Sequence, residues 1–249
     1  MKKLFLLSAL LIFACSSDGG DNNIDDNQDC ISLLNNKTWF PVEGTSEIFT
    51  YIRFDSNGDF YEEGQLDGTW DLESNCSTIN FDIIGSSIDF SYEIVSINQN
   101  LMVVNTVLGQ VSYENFYVEG GSFVNDYNGL VWEVEEVNGE EAEEAVYISF
   151  GLNSSNEFQL YNIQDCDDGD LDYEDVYNGY ASAEIIIDDG DAMIFRYNED
   201  IESLDNYYEY IFKVKNEFLE IIFVDYGDGG MEYADKVELS ITNLDNPCE

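Results

Sequence analysis

From residue 30 onward, short segments rich in Tyr, Phe, Ile and Val alternate with clusters of Asn, Asp, Gly and Ser. That alternation is the signature of strands and turns. In the first half it predicts strands near 37–42, 47–55, 58–63, 66–72, 78–84, 87–97, 100–107 and 111–118. The turns between them include Asp55-Ser56-Asn57-Gly58, Ile84-Gly85-Ser86-Ser87 and Asn98-Gln99-Asn100. Eight short strands in about 90 residues form a meander, which hides its edges best by closing on itself. The strongest helical stretch, Glu140 to Ala145, is short and acidic.

The second half repeats the first loosely. Trp39 is followed by Tyr51-Ile52-Arg53-Phe54 and Phe60, and Trp132 by Tyr147-Ile148-Ser149-Phe150 and Phe158. Tyr92, Ile94, Asn98, Leu101, Val103 and Val104 match Tyr210, Phe212, Asn216, Leu219, Ile221 and Ile222 at a constant offset of 118. The expected fold is therefore all-β, with two tandem antiparallel meander barrels of about eight strands each. They span 30–120 and 125–249, with Glu119-Gly120-Gly121-Ser122 beginning the hinge and an acidic insertion around 164–178. The order of Trp39, the hairpin Phe54 to Phe60, Gly68-Thr69-Trp70-Asp71-Leu72 and a strand pair about Leu101 resembles the lipocalin-like domains of Bacteroidetes lipoproteins. The likeness covers the first domain well and the second in part, since Tyr177-Asn178-Gly179-Tyr180 stands where Gly-Thr-Trp is expected. It implies a small barrel and carries no ligand with it.

Ahead of these repeats, Met1-Lys2-Lys3, the apolar run Leu4 to Phe13 and Ala14-Cys15 form a basic, an apolar and a cleavage region. The run is half the roughly 20 residues that a spanning helix needs, so residues 1–14 read as a signal peptide. Leu11-Ile12-Phe13-Ala14-Cys15 resembles the lipobox of bacterial lipoproteins, which implies lipid attachment at Cys15. Residues 15–29 then read as the lipidated cysteine and an acidic flexible tether, in which Ile24 is the one large apolar side chain. Its reach is about 20 Å. An Asp-rich tether at this position also resembles the export signals of surface lipoproteins in Bacteroidetes, which implies the outer membrane and its outer face.

Charge changes what such a protein can do. The chain holds 53 acidic and 8 basic residues and no His, a formal charge of −45. Nucleic-acid binding, carried by Lys and Arg on phosphates, is excluded. So are Ser-His-Asp or Cys-His catalysis, His-ligated zinc and a histidine pH switch. Among so many carboxylates no segment singles out a pair for glycoside hydrolysis, so the chain is not expected to be an enzyme, and catalysis ranks third behind binding and a structural or interaction role.

With Cys15 lipidated, Cys30, Cys76, Cys166 and Cys248 remain, an even number in an exported chain. Of three possible pairings, Cys30 with Cys76 and Cys166 with Cys248 keeps each bridge inside one repeat. Two acidic stretches bear on cations. Asp55, Asn57 and Asp59 have calcium-loop spacing, but Phe60 stands where such loops need Gly and no closing Glu follows, so a hairpin is expected. Residues 164–175 carry seven carboxylates in twelve positions, making Asp165, Asp167, Asp168, Asp170 and Asp172 a candidate Ca²⁺ site beside the alternative of a solvated loop. Asp225, Asp228 and Glu232 form a weaker version. Trp39, Trp70, Trp132 and the tyrosines suit either sugar stacking or a core, and Trp39 and Trp132 are the expected core plugs.

These features together point to a lipid-anchored envelope protein. Its expected role is non-catalytic binding of a small molecule, glycan fragment or cation at a barrel mouth or in a cleft between barrels. The alternative is a structural or interaction lipoprotein with filled barrels and an envelope protein as partner. Apart from Ca²⁺, no cofactor is expected.

Overall fold

A computed structural model describes residues 26–42, 51–87, 90–142, 146–152, 158–167, 170–175, 182–198, 207–227 and 230–241. A helix α1 (Asp26–Leu34) leads into β1 (Lys37–Pro41), β2 (Ile52–Phe54), β3 (Asp59–Glu62), β4 (Gln65–Leu72), β5 (Thr78–Ile83), β6 (Phe90–Ile97), β7 (Leu101–Thr106) and β8 (Gly109–Asn115). These eight strands form a closed antiparallel barrel, sealed where β8 pairs with β1. A short helix α2 (Phe123–Asp126) follows. Then come β9 (Val131–Val137), β10 (Glu140–Glu141), β11 (Tyr147–Leu152), β12 (Phe158–Asp167), β13 (Asp170–Asp175), β14 (Ser182–Asp188), β15 (Ala192–Asn198), β16 (Tyr207–Lys215), β17 (Phe218–Gly227) and β18 (Gly230–Ile241). They make a ten-stranded sheet that curls into a nearly closed barrel, its edges at β13 and β14.

Period-two alternation explains the first interior. Trp39, Ile52, Phe54, Phe60, Ile79, Phe81, Tyr92, Met102, Val104 and Tyr113 point inward from successive strands, and Leu34 of α1 joins them. The rings interlock, with Phe60 to Phe81 centroids at 4.6 Å and Phe54 edge-on to Trp70 at 5.1 Å. Gly68, before Trp70, lets the backbone pass close to β5, because a Cβ there would lie 2.2 Å from the Asp82 carbonyl oxygen. The second interior is equally aromatic, built on Phe123, Trp132, Phe150, Phe158, Phe195 and Phe212. Trp39 and Trp132 are both fully buried, as expected of core plugs.

The described residues depart from the expected segmentation at two points. Helix α1 begins at Asp26, inside the segment read as tether. The helix is anchored from its far end, where Cys30 is bonded to Cys76 and Leu34 is buried in the barrel. Likewise Ser122, read as hinge, caps α2, and Phe123 is already fully buried in the second core. Within the acidic segment considered as a solvated loop, residues 164–167 and 170–175 have their backbone in the paired strands β12 and β13, with Asp165 opposite Asp172 and Asp167 opposite Asp170.

Candidate functional site

Several strands are covered on both faces, and this brings the barrels together. In β15, Met193, Phe195 and Tyr197 enter the second barrel, while Ala192 and Ile194 point outward and are just as buried. They join Ile187, Tyr207, Ile211, Ile222, Val224 and Tyr226 against Phe40 and Tyr51 on the outside of the first barrel. The main chain adds to this seam, with the Val118 amide donating to the Asp189 carbonyl at 3.1 Å and the Asp191 amide to that of Phe116 at 3.1 Å.

A buried polar cluster sits in the seam. Arg196 and Glu209 face each other across β15 and β16, and Glu209 is fully buried. Its Oε1 accepts from Arg196 Nε at 2.9 Å, Arg196 Nη2 at 2.6 Å and the Tyr51 hydroxyl at 3.0 Å. Arg196 also donates from Nη2 to the Glu63 carbonyl at 2.6 Å and lies 4.1 Å from the ring centre of Tyr207. Burial pushes the Glu209 carboxyl above the usual range, against the opposing pull of Arg196. The Tyr51 hydroxyl is raised well above its ordinary value, first by burial and then by the Glu209 charge. Glu63 and Gly64 form the two-residue β3–β4 turn, both with positive φ, 49° and 70°. Gly64 is needed there, since a Cβ would come within 3.0 Å of Ile186 and 3.1 Å of Arg196 Nη2.

Beside this cluster lies a cleft of about 410 Å³, lined by Arg53, Asp55, Tyr61 and Gly64 of the first barrel and by residues 186–189 of the second. Arg53 donates from Nε to Asp55 at 2.8 Å and from Nη1 to Asp189 at 3.4 Å. Asp189 also accepts from Thr38 Oγ1 at 2.8 Å. Burial raises its carboxyl pKa, opposed by Arg53. Asp188 accepts from Ser122 Oγ at 2.7 Å and from the Phe123 amide at the start of α2.

The chain thus places its scarce cations between the barrels. Besides Arg53 and Arg196, Lys215 pairs with Glu114 of β8, and Lys213, paired with Glu220 in its own sheet, lies 5.8 Å from the Phe116 ring. That is four of the eight basic residues, set where two acidic bodies would otherwise repel.

The expected site residues are distributed elsewhere. Cys30 and Cys76 form the expected disulfide. Cys15, Cys248 and Asp168 lie outside the described residues, as do the side chains of Cys166, Asp165, Asp167, Asp170 and Asp172. Among the described residues no group of three or more His, Cys, Asp or Glu converges as a metal site. In the Asp55–Asp59 turn, Asn57 Oδ1 accepts from the Asp59 amide at 3.0 Å, and Asp55 binds Arg53, so these oxygens hold a hairpin and a seam. Trp70 donates from Nε1 to the Asp55 carbonyl at 3.1 Å. The cleft residues Arg53, Tyr61 and Asp189 carried no expectation. The available signal was runs such as Trp39-Phe40, Ile211-Phe212 and Ile221-Ile222, where alternation fails because both faces are covered.

No family model matches the chain, and no curated protein matches it. A solved structure, that of a protein of unknown function from the DUF3598 family of the cyanobacterium Nostoc punctiforme, is similar over 87% of this chain and 99% of that one. Its identity is 10% and its TM-score 0.33, and so shallow a likeness transfers no function.

Proposed function

We propose that this chain is a lipid-anchored envelope protein of the outer membrane that binds a small ligand without catalysis, in the cleft between its barrels. The observation that carries the reading is the contrast between two interiors packed with aromatic rings and a lined, open space at their junction. Ligand sites commonly sit at such junctions, and their volumes run from about 300 to 1,000 Å³. The anchor rests on the sequence Leu11 to Cys15.

The filled interiors also favour a second reading, a structural or interaction lipoprotein working through its surface with an envelope partner. Val107 and Leu108, 82% and 88% exposed at the β7–β8 turn, are the kind of apolar tip such a partner would cover. A thermal-shift screen of the mature chain against lipids, neutral glycans and divalent cations separates the readings. A ligand-dependent rise in melting temperature supports binding; no response, together with an envelope protein cross-linked to it on cells, supports the alternative. For the anchor, Cys15→Ser should move the protein from the membrane fraction to the soluble one, and retention in the membrane would refute lipidation.

A further inference from the structure

Resting on the binding reading above, we infer that the cleft takes a neutral sugar. Its polar groups are pre-paired rather than bare. Asp55 and Asp189 already hold Arg53, and Asp188 holds Ser122 and the Phe123 amide. A small cation would have to draw Asp55 and Asp189 away from Arg53, and Asp188 away from Ser122 and the Phe123 amide. An anion would enter against the field of a chain of charge −45. A wholly apolar ligand would bury charged groups and return no hydrogen bond.

A sugar hydroxyl donates one hydrogen bond and accepts others. The cleft offers both functions side by side, guanidinium N–H groups of Arg53 next to carboxylate oxygens 2.8 and 3.4 Å from that same guanidinium. Neighbouring hydroxyls on a ring can therefore bridge the ion pairs without bringing a charge to be desolvated. Tyr61 supplies an aromatic ring and Ile186 an apolar side chain for the C–H faces of the sugar. Gly64 lines the cleft where no side chain fits, and Arg196 holds its turn through the Glu63 carbonyl.

The test is saturation-transfer NMR on the mature chain with maltose, cellobiose, lactose and chitobiose, and with spermidine and laurate as charged and apolar probes. At least one disaccharide should bind. Tyr61→Phe should keep that binding, Tyr61→Ala should weaken it about tenfold, and Arg53→Gln should weaken it at least as much. If no disaccharide binds while spermidine or laurate binds in a manner that depends on Tyr61, the sugar assignment is overturned and the cleft remains a binding site. If no probe binds, both readings fail. Disaccharide binding indifferent to Tyr61 and Arg53 would overturn the assignment to this cleft.

Discussion

Arg196 of the second barrel donates a 2.6 Å hydrogen bond to the main-chain carbonyl of Glu63 in the first. The same guanidinium pairs with Glu209, which has no exposed surface, so one side chain both carries the counter-charge of a buried acid and latches the two barrels. The seam residues and the cleft beside them depend on that latch.

Removing the latch should therefore be costly. Arg196→Met leaves Glu209 buried without its cation, and breaking such a pair typically costs about 3–5 kcal/mol. Pairing it with Glu209→Gln should recover much of the loss. Urea denaturation of the two variants checks this, and equal stability of the single and double variants would contradict it.

Acid should stabilise this protein over part of the range. Asp189 and Glu209 both have folded pKa values raised above the usual carboxylate values near 4, in each case chiefly by burial. A raised folded pKa means that the group's contribution is fully present below the unfolded pKa and is lost as pH rises through the folded one. Stability should accordingly rise as pH falls from 7 towards 5, reinforced by the shrinking net charge. Melting temperatures across that interval check it, and a monotonic fall would contradict the account.

Ionic strength should act in the same direction. Going from 0.01 to 0.15 M salt shortens the screening length from about 30 to about 8 Å, which weakens the self-repulsion of 53 carboxylates more than the close pairs in the seam. Melting temperature should rise with salt. A decrease would mean that the seam ion pairs outweigh the repulsion.

Gly64→Ala should loosen the seam by about 1–2 kcal/mol, because a side chain at positive φ is strained and its Cβ presses on Ile186 and Arg196. The same substitution at Gly85, whose φ of 78° is close to that of Gly64 but which has nothing within 4 Å, should cost the backbone strain alone. Comparing the two by thermal unfolding isolates the steric part.

Much of the fold was legible because it rests on local rules. Asp55 to Gly58 supplied a turn, and the eight predicted strands of the first barrel differ from β1–β8 mainly at their ends. The repeat was legible only in outline. Leu101 and Leu219 align in sequence, yet Leu101 is exposed and Leu219 fully buried. The β6–β7 hairpin has a register shift after Ile94 and pairs Ile97 with Met102, whereas β16–β17 pairs Lys215 directly with Phe218. A one-residue change in register turns a side chain to the other face.

The seam was not legible for a different reason. Ile194 and Ile222 look like any buried strand residue, and nothing local says whether a second apolar face meets another barrel or another chain. Arg196 and Glu209 are thirteen positions apart and become partners only through the β15–β16 register. Tyr61 and Asp189 meet in one cleft only through the docking of two barrels.

The central claim is that ligand enters between the barrels and not into them, and amide chemical-shift mapping during titration with the best-binding disaccharide tests it most directly. We expect shifts confined to Arg53, Asp55, Tyr61, Gly64 and residues 186–189. Shifts at interior positions such as Phe81, Met102 or Phe212, with none along the cleft, would contradict the account.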